Sequence, residues 1–535
     1  MKTKRLLAIA VSLACAGANV AHADDSASAI KAQVETLQKQ LDALKAQLDA
    51  VQTQVQVQKQ EQEKSTKAAP FVQMKPGLGT TFLTAGGGEV TLYGNLDVSI
   101  DTTTKGLQSN YDQGGAPVGK MGWLPAISTN LSYLGVRGNH PIADNLNFVW
   151  QLEAGIDISA TPGTRSTNSN TSDSVNGALF SRNSFIGLAG KDWGGVMLGK
   201  QETPYKTSTD RLNPFSGMIG DYRVVMGNTG GDNRVEFGYR APHAIWYQSP
   251  NWSGFSFNTL YSPGQNRSNG GDPIGANSNL ASGEQDCAGG NIPGSGALPP
   301  SCNDGSFGNL WSISAAYTWE SLYVTGAYEM HKNVNRSSDT IGFPTTPPED
   351  TQGDPNDVAD EYAWKIAAQY TFPTKTTIGA VYERFYRPVP SYLQYQNERQ
   401  RSGYWLVVTQ AVTEKDVVSG GWAHAGASPG DPGTHNTPGG SNPNNQANMY
   451  TIAWKHLLDR STTIYVDWAM TVNHVDAHYD LGAGGHLTTD CHDASQQAAF
   501  DPTANGGAGG VTGNGPHCFA GGRLQGVSVG LNYRF

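Results

Sequence analysis

Four cysteines, a histidine-rich stretch, a run of acids and two glycine-rich motifs are the residues of this 535-residue chain whose types and spacing point to chemistry. Cys287 and Cys302 bracket one Gly/Pro-rich stretch, and Cys491 and Cys518 bracket another. In an oxidising compartment such sequence-local pairs read as loop-stapling disulfides. Cys491-His492 and His517-Cys518 also bring two thiols and two imidazoles together, the donor set of a metal site, and that alternative stays open. His474, His478, His486, His492 and His517, interspersed with Asp476, Asp480, Asp490 and Asp493, carry metal-ligand chemistry in the setting of a solvated loop. Glu349, Asp350, Asp354, Asp357, Asp360 and Glu361 form an acidic run with no base among them. It reads as a solvated extracellular loop, with a Ca²⁺ or lipopolysaccharide cation bridge as the alternative. Gly426-Ala-Ser428-Pro-Gly430 has the spacing of a nucleophile elbow, but no helix pattern follows Ser428, as the strand–turn–helix elbow requires. Gly194 to Lys200 falls short of a phosphate loop because Gln201 replaces the Ser/Thr and the segment reads as a strand. No motif supplies a catalytic constellation, a resident metal or a cofactor site, so the chain does not read as an enzyme.

All but the last of these motifs lie in long polar connections, and the elements between them set the fold class. Charged residues make up 15% of the chain and apolar ones 38%, against about 25% and 45–50% in soluble domains. A disordered chain is poor in aromatics; this one has 22 Tyr, 16 Phe and 12 Trp. No apolar run reaches the roughly 18 residues of a membrane helix, and the mean hydropathy is −0.43. A transmembrane β-barrel fits both facts, because only every second residue need be apolar. From Glu89 onward the period is two. Val90, Leu92, Leu96, Val98 and Ile100 alternate with Thr91, Tyr93, Asn95, Asp97 and Ser99, and the stretches from Leu146 and from Ile464 repeat the pattern. Tight turns such as Glu320-Ser321 and Pro373–Lys375 take turns with long connections such as 202–234, 264–308 and 475–522. The reading is all-β: an antiparallel transmembrane barrel of about 16 strands. Val527, Val529, Leu531, Tyr533 and Phe535 share one face, so the terminal segment reads as the strand that closes it.

The segments before the barrel read differently. Lys2, Lys4 and Arg5 precede the apolar run Leu6–Ala14, and Ala21-His22-Ala23 has the form of a cleavage site, so residues 1–23 read as a secretory signal peptide. Removing those three bases leaves 33 of the 36 Lys and Arg against 46 Asp and Glu, a mature charge of about −13. Such a balance argues against nucleic acid as a partner. Ile30, Val34, Leu37, Leu41, Leu44, Leu48, Val51 and Val55 recur with 4-3 spacing, and no Gly or Pro interrupts 24–69. The narrow seam predicts a periplasmic α-helical coiled coil. Residues 70–88 read as a linker and 89–535 as the barrel.

The stretches VTLYGNLDVSI, LSYLGVRG, FVWQLEAGID, LFSRNSFIGLAG with GGVMLGK, AIWYQSPNWSGFSF, STTIYVDWAMTVN and GLNYRF follow one another from Glu89 to Phe535. In order and spacing they resemble the general diffusion porins of Gram-negative outer membranes, especially the neisserial and burkholderial branch. The resemblance implies a homotrimer of 16-stranded barrels whose third extracellular loop folds inward to narrow each pore. It also implies pore-wall roles. Arg182 and Arg240 match two arginines of the family's basic cluster. Tyr133 stands where a third is usual, with Arg137 on the same strand face as a partial replacement. Asn95 occupies a position often held by lysine, Glu153 matches an acidic wall residue, and Asp210 in the loop 202–234 is the acid expected to face the pore. The family's usual acid near the loop tip is missing here.

Arginines facing loop carboxylates across a wet gap set up a transverse field that orients water and zwitterions; a wall salt bridge with no selectivity role is the alternative reading of Arg182 and Arg240. The expected function is passive diffusion of small hydrophilic solutes and ions, with outer-membrane lipid, lipopolysaccharide and the cell wall as partners and a weak cation preference. A substrate-preferring channel, an adhesin or tether, and an outer-membrane hydrolase are the competing readings.

Overall fold

The computed structural model describes residues 79–104, 123–159 except 157, 182–226, 237–263 except 239, 309–335, 358–388, 400–429, 444–474 and 522–535, with 38, 42, 72–75, 477, 479, 481–482, 500–501 and 510–511. Sixteen antiparallel strands form a closed barrel. They are β1 (Glu89–Thr104), β2 in two halves (Trp123–Thr129 and Tyr133–Ala143), β3 (Leu146–Gly155), β4 (Ser184–Gly190), β5 (Gly194–Glu202), β6 (Arg240–Gln248), β7 (Phe255–Pro263), β8 (Asn309–Trp319), β9 (Leu322–Asn335), β10 (Val358–Thr371), β11 (Thr376–Tyr386), β12 (Ser402–Ala411), β13 (Asp416–Ala425), β14 (Ala447–Leu457), β15 (Thr462–Asn473) and β16 (Gly522–Arg534).

Alternation dictates which side each residue takes. Along β12, Gly403, Trp405 and Val407 are buried while Tyr404, Leu406 and Val408 are exposed. On β1, Asn95, Asp97, Ser99, Asp101 and Thr103 are buried, and Ile100 is 66% exposed. The outward side is apolar on both strands and the inward side of β1 is polar, the arrangement a bilayer around a wet lumen demands.

The ladder closes where β16 lies between β15 and β1, with Val529 opposite both Val466 and Ile100. Phe535 and Gly94 exchange backbone hydrogen bonds of 2.9 and 3.2 Å, completing the seam. Within the stretch read as a linker, Thr80–Thr84 forms a strand paired with Glu89–Leu92, below the end of β16. The break in β2 is where local sequence departs from simple alternation. Leu131 takes a positive φ of 53°. Ser132 Oγ accepts from Asp97 N at 2.8 Å, and Asn130 N donates to Asp97 O at 2.9 Å, so the interrupted ladder keeps its partners. Of the expected coiled coil, Gln38 and Asp42 are helical and exposed; its eight seam positions lie outside the described residues.

Candidate channel constriction

The connection from β5 to β6 begins with a helical turn, α1 (Pro204–Thr207), whose N-cap Thr203 side chain accepts from Lys206 N. A 3₁₀ turn (Asp210–Leu212) and a second helical turn, α2 (Arg223–Met226), follow. Successive residues meet successive strands. Tyr205 N donates to Ser312 Oγ of β8 at 3.0 Å, and Tyr323 of β9 donates to Ser208 O at 3.1 Å. Lys365 of β10 donates to Thr209 at 3.0 Å, and Trp405 Nε1 of β12 donates to Leu212 O at 2.9 Å. Lys455 of β14 reaches Pro214 O, and Gly220 N donates to Asp467 of β15 at 3.3 Å. Each wall partner alternates with outward-facing neighbours, such as Ile366 beside Lys365 and Leu406 beside Trp405. Residues 205–220 therefore run along the inner face of the wall.

Apolar packing secures this path. Leu212, Phe215, Met218, Tyr222, Val225 and Met226 bury themselves against Trp405, Val407, Met449 and a run of wall alanines. Trp405 stacks on Tyr222 at 4.7 Å and meets Phe215 edge-on at 5.9 Å. Burial raises the Tyr222 phenol to about 12. Burial and the Glu383 carboxylate, which accepts the Tyr205 hydroxyl hydrogen bond, hold the Tyr205 phenol well above its ordinary value. Both rings stay neutral and serve as packing.

The opposite wall, β1 to β6, is built of ion pairs and tyrosines. Arg182 Nε meets Glu153 at 2.6 Å, and Tyr93 donates to the same carboxylate at 3.0 Å. The Arg182 guanidinium lies 4.8 Å from the Tyr133 ring centroid, and Arg137 lies 5.0 Å from that of Tyr93. Arg240 pairs with Glu202 at 3.0 Å and donates to Asn183 at 2.7 Å. Lys206 reaches the same Glu202 oxygen at 2.9 Å.

Arg182, Arg240 and Glu153 are thus buried in wall ion pairs, whereas Arg137 is exposed on the same inner face as Tyr133. Asn95 is buried, accepting from Asn532 at 2.8 Å and donating to Leu131 O at 3.2 Å. Asp210 is exposed, with 52% of its side chain accessible, and pairs with Arg223 of its own loop. Burial opposes the Arg223 charge, but Asp210, Tyr222 and Asp221 together outweigh it and raise the arginine's pKa. Asp221 is buried and accepts from Asn213 at 2.8 Å. Sequence reasoning missed Trp405 and the loop's apolar grip, although LNPFSGMIGDY is visibly richer in apolar residues than the other long connections. Cys287, Cys302, Cys491 and Cys518 lie outside the described residues.

A family model described as Gram-negative porin matches residues 10–476. The chain belongs to the Gram-negative porin family. An outer membrane porin protein of Bordetella pertussis is 29% identical over 178 residues, 32% of this chain and 42% of that protein. The major outer membrane protein P.IB of Neisseria sicca is 26% identical over 178 residues, covering 33% and 43%. The aligned stretches span less than half the length of these relatives. Among solved structures, the anion-selective porin from Comamonas acidovorans superposes with a TM-score of 0.51 at 19% identity, covering 84% of this chain and all of that one, a likeness of fold. Family and barrel place this porin in the bacterial outer membrane.

Proposed function

We propose that this porin is a water-filled channel for passive diffusion of small hydrophilic solutes and ions, with the loop after β5 narrowing the passage. The observation that carries this is the ordered path of residues 205–220 across the inner faces of β8 to β15. In this reading open water lies toward β1 to β6, the side of exposed Arg137, with exposed Asp210 on the loop itself. Liposome swelling with sugars of graded size tests the reading. Entry should fall steeply with solute size, and impermeability to the smallest sugar would overturn it.

The working form in this proposal is a homotrimer, with the heptad segment projecting three helices toward the cell wall. Deleting 24–69 should leave the barrel folded and lower the heat resistance of the trimer in detergent gels; an unchanged melting point removes that role. Selectivity in this reading is weakly cationic. The acidic balance of the chain acts at the mouths, while Arg182 and Arg240 are matched by Glu153 and Glu202. Arg137 is the local counterweight. The Comamonas porin is anion-selective, so a reversal potential measured across a salt gradient is the deciding observation for this chain.

A further inference from the structure

The connection after β15 turns into the barrel. Val475, Ala477, Tyr479 and Leu481 alternate with Asp476, His478 and Asp480, a strand-like pattern with one apolar side. Ala477, Tyr479 and Leu481 are 0 to 2% exposed, and Gly482 is buried with them. A solvated surface connection has no such side to hide.

Asn473, the last residue of β15, starts the turn. Its Nδ2 donates to Tyr479 O at 2.8 Å, its Oδ1 accepts from Tyr479 N at 2.9 Å, and Ala477 N donates to His474 O at 3.0 Å. The segment then meets the tip of the loop after β5. Gly482 N donates to Ile219 O at 2.6 Å. A Cβ at Gly482 would lie 2.5 to 2.7 Å from Met218 O, Asp221 N and Ile219 O, so only a residue without one lets the two backbones come this close.

Leu481 packs with Ile219 against Ala469 of β15 and Leu524 of β16. Both side chains rest over the bare backbone of Gly526, where a Cβ would stand 3.2 Å from Ile219 Cδ1 and 3.3 Å from Leu481 Cδ1. Ala477 and Tyr479 join the apolar cluster that holds Met218, Tyr222, Val225 and Met226. Arg401 ties the two segments together. Its guanidinium lies 5.9 Å from the Tyr479 ring centroid and donates to Val225 O at 2.8 Å. From Met218 to Met226 the loop is therefore gripped twice, by the wall and by the connection after β15. How far its tip stands from β16 sets the room left beside β1, because those two strands are neighbours.

We infer that Tyr479, Leu481 and Gly482 are positioning residues for solute passage: they clamp the tip of the loop after β5 onto β15 and β16 and so fix the largest solute that passes. This rests on the channel reading proposed above. Filling space would require neither the Gly482–Ile219 hydrogen bond nor the close backbone approach at Gly482.

The test uses the full-length protein in liposomes and planar bilayers, with sugars of graded size as probes. Leu481→Ala removes packing from the clamp, Gly482→Ala wedges a methyl group into it, and Leu481→Met keeps the volume. Wild type should show a sharp size limit and one steady conductance level. Leu481→Ala and Gly482→Ala should admit the next larger sugar of the series, with its swelling rate up roughly tenfold, and should flicker to a larger conductance level. Leu481→Met should stay close to wild type. Heat-shifted mobility in detergent gels confirms that each barrel is folded. Folded alanine variants that keep the wild-type size limit and steady current overturn the inference, and so does Leu481→Met behaving like Leu481→Ala. Loss of the folded barrel in both alanine variants also overturns it, since the segment would then be a folding element. In each of these cases a conducting wild type leaves the channel reading standing; a wild type that passes no sugar removes the channel reading and the clamp with it.

Discussion

The two halves of the inner wall differ in what covers them. From β8 to β15 the wall carries alanines, Trp405, Val407 and Met449 beside buried charged groups such as Lys365, Glu383 and Asp467, and the loop covers it with an apolar core and hydrogen bonds. From β1 to β6 it carries Arg182–Glu153, Arg240–Glu202 and two tyrosines beneath arginines. Apolar burial holds a segment in place without directing charge, while paired charges shape a field and remain sensitive to salt. In the proposed channel the first half is a fixture and the second a passage. Altering the fixture should change the width and steadiness of the channel, and altering the passage should change which ions it prefers.

The strongest way to break this division is Trp405→Ala. Trp405 is fully buried and contacts Tyr222, Phe215 and Leu212 O, so truncation should destabilise the protein by about 3–5 kcal/mol. The loop should loosen, and single-channel recordings should show larger, noisier conductance with an unchanged reversal potential. A shifted reversal potential at steady conductance would show that the fixture also sets selectivity. Arg182→Ala follows. Breaking a buried pair leaves Glu153 uncompensated, at about 3 kcal/mol, and should lower the melting temperature, raise conductance and strengthen cation preference. Unaltered conductance and selectivity together would remove Arg182 from the passage.

Asp210→Ala is milder. Its carboxylate is half exposed, so stability should fall by about 1 kcal/mol or less. Releasing Arg223 should move the reversal potential toward anions; movement toward cations would place that arginine away from the water path. Arg137→Ala should have the smallest effect on stability, roughly 0.5 kcal/mol for an exposed cation–π contact. It should still shift selectivity toward cations by removing an exposed wall charge. Selectivity identical to wild type would leave the field to the buried pairs.

The barrel was legible because alternation over many strands is a redundant signal. The strand count, the closing role of Phe535 and the inward side of Asn95, Glu153 and Arg137 all follow from period two. The proposed constriction was legible only as a set of charges. Arg182 and Arg240 were placed on the pore wall by resemblance, but their partners depend on chain paths that spacing does not encode. Glu202, for example, is held by Arg240 and Lys206 together. The Asp210–Arg223 pair joins residues 13 apart in a loop with no repeating pattern. The β2 break was hidden because Leu131 continues an alternation that its positive φ interrupts.

The seam between β16 and β1 has a consequence for assembly. Its paired residues are 423 to 439 positions apart in sequence, from Thr103 opposite Gly526 to Asn95 opposite Arg534, so it is the most non-local ladder in the barrel and the last to gain from neighbouring order. Until it forms, β1 offers an unpaired edge, the hazard that makes nascent sheets stick to one another. The hairpin strand Thr80–Thr84 already occupies that edge along Glu89–Leu92. Only the stretch from Asn95 to Thr103 waits for Gly526–Arg534, and the barrel's final step is a short zipper that starts beside a pre-formed turn.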